Sequence, residues 1–120
     1  MRPHQKLDLW RRAIDFIVRI YRITDRFPKE EKFGLTSQIR RAAVSVAANI
    51  AEGAARTSLK EFMQFLSHSQ GSASEVDTEL LIASRLGYLS EKDYQDLARD
   101  IDDIGRMITR LSQSLKRRAT

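Results

Sequence analysis

Chemistry in this chain must come from cations, carboxylates and hydroxyls, because it holds 21 Lys and Arg, 16 Asp and Glu, two His and no Cys. Without cysteine, disulfides and thiolate metal sites are excluded, which suits a reducing compartment. His68 has only Gln64 and Ser72 at helical spacing, and His4 falls in a start expected to fray. Both read as surface residues rather than ligands. Asp102–Asp103 and Glu30–Glu31 are consecutive pairs. On a helix their side chains diverge by about 100°, too far to share a proton. No phosphate loop, nucleophile elbow or di-iron Glu-x-x-His repeat occurs. The expectation is a protein that binds rather than catalyses, with no cofactor and no metal.

The cations are unevenly spread. Residues 1–60 carry 13 basic and 6 acidic side chains, residues 61–105 carry 3 and 10, and residues 106–120 carry 5 and none. In the last cluster Arg106, Arg110 and Arg117 share one helical face, with Lys116 and Arg118 beside it. A helix C-terminus favours cations by itself, so position alone does not make them a site. Arg11, Arg19, Arg22 and Arg26 occupy one arc of an earlier helix, where Asp8 and Asp15 are spaced to pair with Arg12 and Arg19. That arc reads first as a salt-laced surface and second as a phosphate contact. Trp10, Phe16 and Tyr21 are interleaved with these arginines. They could stack on bases, but packing is the commoner use of such residues.

Four helices must position these groups. The first is predicted from about Leu7 to Arg26, closed by Phe27-Pro28 and Gly34. The second covers Leu35 to Gly53. Ser58 and Glu61 form a capping box that opens the third, whose apolar seam runs Leu59, Phe62, Leu66, Ser69, Ala73, Val76, Leu80, Ala83. Gly87 ends it, and Ser90 caps a fourth helix with the seam Tyr94, Leu97, Ile101, Ile104, Ile108, Leu111, Leu115. Nothing alternates at period two over a useful length. An all-α, antiparallel up-down-up-down four-helix bundle follows, as one domain over residues 1–120. The third and fourth helices are the longer pair, so their excess should project or pack on another subunit. No run approaches the roughly 20 apolar residues of a bilayer span. The opening MRPHQKLDLW lacks a signal peptide's apolar core, so a cytoplasmic protein with no membrane contact is expected.

The second helix, LTSQIRRAAVSVAANIAEG, is small or apolar almost all round. Such a helix must be buried almost all round, and a bundle of 120 residues is expected to cover only part of it. A homo-oligomer would cover the rest, including Val44, Ala47 and Ala51. Asn49 interrupts this apolar surface, and an unpaired buried amide costs about 1–3 kcal/mol. Antiparallel packing of the second and third helices suggests a polar network of Arg41, Asn49, Glu52 and Glu75 at a bundle or subunit seam. Setting register and assembly is its expected role.

The same topology gathers the N-terminus, the second connection and the C-terminus at one end. Arg11, Arg12, Arg56, Lys60, Arg110, Lys116, Arg117 and Arg118 fall there and are the candidates for contact with RNA or DNA. Most of the acids of residues 61–105 collect at the other end.

The runs Phe33-Gly34-Leu35, Gln38-Ile39-Arg40-Arg41-Ala42-Ala43 and Asn49-Ile50-Ala51-Glu52-Gly53 resemble the signature of bacterial four-helix-bundle proteins encoded in intervening sequences of 23S ribosomal RNA genes. Gly71-Ser72-Ala73-Ser74-Glu75 and Ala83-Ser84-Arg85-Leu86-Gly87-Tyr88-Leu89 match later parts of that pattern. The resemblance implies homopentameric rings of four-helix bundles. The accessory protein of diversity-generating retroelements is similar in architecture and binds nucleic acid with a reverse transcriptase, so a nucleic-acid role beside a partner protein follows by analogy. A purely structural scaffold or protein-interaction module is the alternative.

Overall fold

The computed structural model describes residues 1–119 and contains four α-helices: α1 (Asp8–Thr24), α2 (Leu35–Ala54), α3 (Leu59–Arg85) and α4 (Glu91–Ala119). Short 3-10 turns at Pro3–Lys6 and Lys29–Glu31 precede α1 and α2, and no strand occurs among the described residues. Each helix packs on its chain neighbours, and α4 closes the ring on α1. The result is the antiparallel four-helix bundle, 48 × 21 × 21 Å.

Local chemistry sets the ends. Ser58 accepts a hydrogen bond from the Glu61 amide at 3.2 Å, opening α3, but Glu61 does not return one, so only half of the expected capping box forms. Ser90 serves the Asp93 amide at 3.1 Å. Gly87 adopts φ 82°, while Gly87 N donates to Ser84 O and Tyr88 N to Ala83 O. This is a Schellman closure, which needs a residue that tolerates a left-handed backbone.

The core is the inner stripe of each helix: Phe16 and Ile20, then Ile39, Val46 and Ile50, then Leu66, Val76 and Leu80, then Leu97, Ile104 and Ile108, all nearly inaccessible. At Gly53 a Cβ would stand 2.9 Å from Phe62 Cδ1 and 2.9 Å from Phe65 Cβ, so α2 and α3 approach closely because glycine is there. Ser69 donates to Val46 O at 2.8 Å across the same seam.

Two expectations need revision. The extra length of α3 and α4 does not project freely at the end where they join, because the α1–α2 connection covers it. There Phe27 is buried and packs on Tyr88, whose hydroxyl donates to Glu31 at 2.9 Å. The bundle also covers more of α2 than its apolar circumference suggested. Ala43 and Ala47 are buried within one chain, Ala51 is half-buried, and Val44 remains 41% exposed. Alanines allow α1 and α3 to approach on both sides of α2, leaving exposed the stripe of Gln38, Arg41, Val44, Ala48 and Glu52.

Candidate nucleic-acid interface

The first-helix arginines face a partner that sequence spacing did not suggest. Asp100 on α4 accepts from Arg12 Nε at 3.0 Å and Nη2 at 2.8 Å, and from Arg19 Nη1 at 2.9 Å. Arg12 also reaches Asp103 at 3.2 Å. The predicted i,i+4 pairs within α1 do not form, and Asp8 pairs with Arg11 instead. Asp100 is only 13% exposed between two helices, whereas Asp8 is 84% exposed. The sheltered carboxylate offers the stronger fork-like pairing. Its hydrogen bond holds the Arg12 guanidinium above its ordinary pKa, against the opposing effect of burial. Arg12 is thus a clasp between α1 and α4, and Arg11 is held by Asp8 and by Gln5 O at 2.6 Å.

The remaining candidates are freer. Arg56 stacks on Phe65 at 4.8 Å and approaches Glu52 at 3.9 Å. Lys60, Arg110, Lys116 and Arg118 are exposed, with no ion-pair partner among the described residues. Arg117 is exposed beside them. Arg106 is bound to Asp102 at 2.7 Å.

Two open grooves, of about 490 and 350 Å³, run between α3 and α4 and share Gln70 and Thr109. Arg110 lines the larger and Lys116 the smaller, which extends toward the C-terminal end of α4. Gln70 Nε2 donates to Gly105 O at 3.0 Å and Thr109 Oγ1 at 2.9 Å, forming a polar floor. Sequence reasoning missed Gln70, Ser67 and Thr109. The available signal was a polar stripe beside each seam, but only packing shows that two such stripes face one channel.

The expected polar network is smaller within one chain. Asn49 is half-buried at the edge of the α2–α3 seam and donates to Ser45 O at 2.8 Å and Ser45 Oγ at 3.0 Å. Ser45 and Ser72 hydroxyls meet at 2.9 Å. Arg41, Glu52 and Glu75 are exposed and do not join them. A half-buried amide satisfied one turn back on its own helix needs no distant charge. The network missed Glu79, which is 6% exposed with Oε1 unpartnered among the described residues. Burial, then the neighbouring Glu75, pushes its carboxyl up to about 7.

No described helix is long and apolar enough to cross a membrane. A solved structure of a protein of unknown function from the S23 ribosomal protein family of Bacteroides thetaiotaomicron superposes with a TM-score of 0.78. It is 23% identical and covers 87% of this chain and 97% of its own, a likeness of fold. No curated protein matches the chain. The model of the family described as 23S rRNA-intervening sequence protein matches residues 5–110. With nearly all of the bundle inside that match, the chain belongs to the 23S rRNA-intervening sequence protein family.

Proposed function

We propose that the protein is a non-enzymatic, homopentameric four-helix-bundle subunit that holds RNA or DNA against the basic end of its α3–α4 side. The observation that carries this reading is the set of exposed cations Lys60, Arg110, Lys116 and Arg118, without ion-pair partners among the described residues, of which Arg110 and Lys116 line the α3–α4 grooves. Cations already matched by carboxylates have less to gain from phosphate, so among the candidates at the basic end these four are the ones a polyanion would recruit. Assembly is supported by apolar side chains left uncovered on α2 and α3: Val44 at 41%, Ile82 at 45% and Leu86 at 54% exposure. Ile82 and Leu86 continue the stripe of Ser72, Glu75 and Glu79 at helical spacing. A ring would repeat the basic end around one rim and multiply weak contacts.

RNA titration at several salt concentrations tests the binding. Log affinity should fall linearly with log salt, and R110E/K116E should weaken binding and flatten that slope by about 1–2. Affinity indifferent to salt would rule out phosphate contact. The ion-pairing of Arg11, Arg12, Arg19 and Arg106 favours a second reading, a scaffold whose charges serve the fold. It stands if the parent chain binds no RNA, or if R110E/K116E binds RNA as the parent does.

A further inference from the structure

At the opposite end of the bundle, the corner where α1 passes into α2 encloses a groove of about 350 Å³, within the usual range for small-molecule sites. Phe27 and Pro28 form one side. Three cations line it, Lys29, Lys32 and Arg40, against one carboxylate, Asp25. Neither lysine has an ion-pair partner among the described residues, and Asp25 is 88% exposed and 3.9 Å from Arg40.

Arg40 is already held in place. Its Nε donates to Thr24 Oγ1 at 2.9 Å and its Nη2 to Tyr21 O at 3.2 Å, with the guanidinium 4.5 Å over the Tyr21 ring. Thr24 is fixed in turn by donating to Ile20 O at 2.7 Å. Two of the five guanidinium donors are thereby used, and the others remain available to an anion.

Thr36 supplies an independent sign of a missing partner. It lines the groove, is 6% exposed, and its Oγ1 has no hydrogen-bond partner among the described residues. A buried hydroxyl is normally satisfied. Thr36 also lies in the first turn of α2, where backbone amides point out of the helix toward negative charge. Glu31 caps only the Leu35 amide, at 3.2 Å, and its other oxygen is bound by Tyr88, so that carboxylate does not line the groove. Beside Lys32, whose Nζ lies 5.5 Å from the ring centre, Phe33 stands 90% exposed. A naked aromatic face next to a cationic pocket suits a ligand that joins a phosphate to a flat ring.

We propose that this corner binds a nucleotide: the phosphate on Arg40, Lys29, Lys32 and the Thr36 hydroxyl, and the base on Phe33. The site is separate from the basic end, and its success or failure is independent of RNA binding there. The phosphate could belong to a free mononucleotide or to the 5′ end of a strand.

Calorimetric titration of the full chain with AMP, adenosine and inorganic phosphate tests the assignment. AMP should bind at least about tenfold more tightly than adenosine, the effect of about one charged hydrogen bond. K29E/K32E, both at exposed positions, should abolish AMP binding while circular dichroism stays unchanged. F33A should lower AMP affinity to that of inorganic phosphate without altering the latter. R110E/K116E should bind AMP as the parent chain does. The proposal is overturned if AMP and adenosine bind equally, if AMP does not bind at millimolar concentration, or if K29E/K32E binds it undiminished. Oligoadenylates with and without a 5′-phosphate separate the sources. Preference for the phosphorylated strand, lost in K29E/K32E, assigns the strand end; equal affinity for the two, with AMP bound, assigns the free mononucleotide.

Discussion

Asp100 accepts hydrogen bonds from two arginines of α1 and sits in the groove between α1 and α4, where water competes poorly. D100A should leave Arg12 and Arg19 without their shared acceptor and cost about 1–2 kcal/mol, discounted because both arginines remain partly solvated. Urea denaturation measures it, and a loss no larger than that of D8A would contradict the clasp. Glu79 acts in the other direction. Its folded-state pKa of about 7 lies above the ordinary 4.5, so the folded chain keeps a proton that the unfolded chain has released. Its contribution is therefore fully favourable below about 4.5 and is lost as pH rises to about 7. E79Q should remove that decline and be more stable than the parent at pH 8 by about 1–3 kcal/mol. Parallel stability profiles from pH 4 to 8 would show that Glu79 titrates normally.

At the scale of elements, the α2–α3 contact depends on Gly53. G53A gains helix propensity of about 1 kcal/mol. It also thrusts a methyl group to 2.9 Å from Phe65 Cβ and 3.2 Å from Phe62 O, atoms that move only with the α3 backbone. A net destabilisation of about 1–3 kcal/mol is expected, and a thermal midpoint at or above the parent's would refute the close approach. The α3 cap makes a second comparison. S58A should cost about 1 kcal/mol, while E61A should change stability by less than about 0.5, since only Ser58 makes its half of the box. All four helices, the Ser58 and Ser90 caps and the Gly87 stop were legible in the sequence, because each depends on residues within one or two turns. The α1 ion pairs were misread for the same reason: local spacing names local partners, and Asp100 lies 88 residues from Arg12.

For the whole molecule, the proposed ring predicts a light-scattering mass near five times the 13.8 kDa of the chain. I82E and L86E replace exposed apolar side chains, so a monomer should tolerate them and a ring should come apart. A parent mass of one chain would remove the assembly, and a ring unaffected by both variants would remove this face as its seam. The charge pattern of the molecule is also more structured than its two-ended description. Lys29, Lys32 and Arg40 form a cationic corner at the end that collects most acids, while part of the basic segment is neutralised by α4 carboxylates.

The fold class, the number and order of helices and the residues of the core could be read from the chain alone. Those follow from periodicities and end signals carried by contiguous residues, as the seams from Leu66 to Ala83 and from Leu97 to Leu115 illustrate. Which polar groups meet was fixed by the packing of the bundle: Asp100 with Arg12 and Arg19, Asn49 with Ser45 rather than Arg41, and the Thr36 hydroxyl with none among the described residues. Hydrophobic burial depends on which face a residue occupies, and helical spacing gives that face. A hydrogen bond depends on distances of a few tenths of an ångström between separate helices, which are fixed only when the bundle packs.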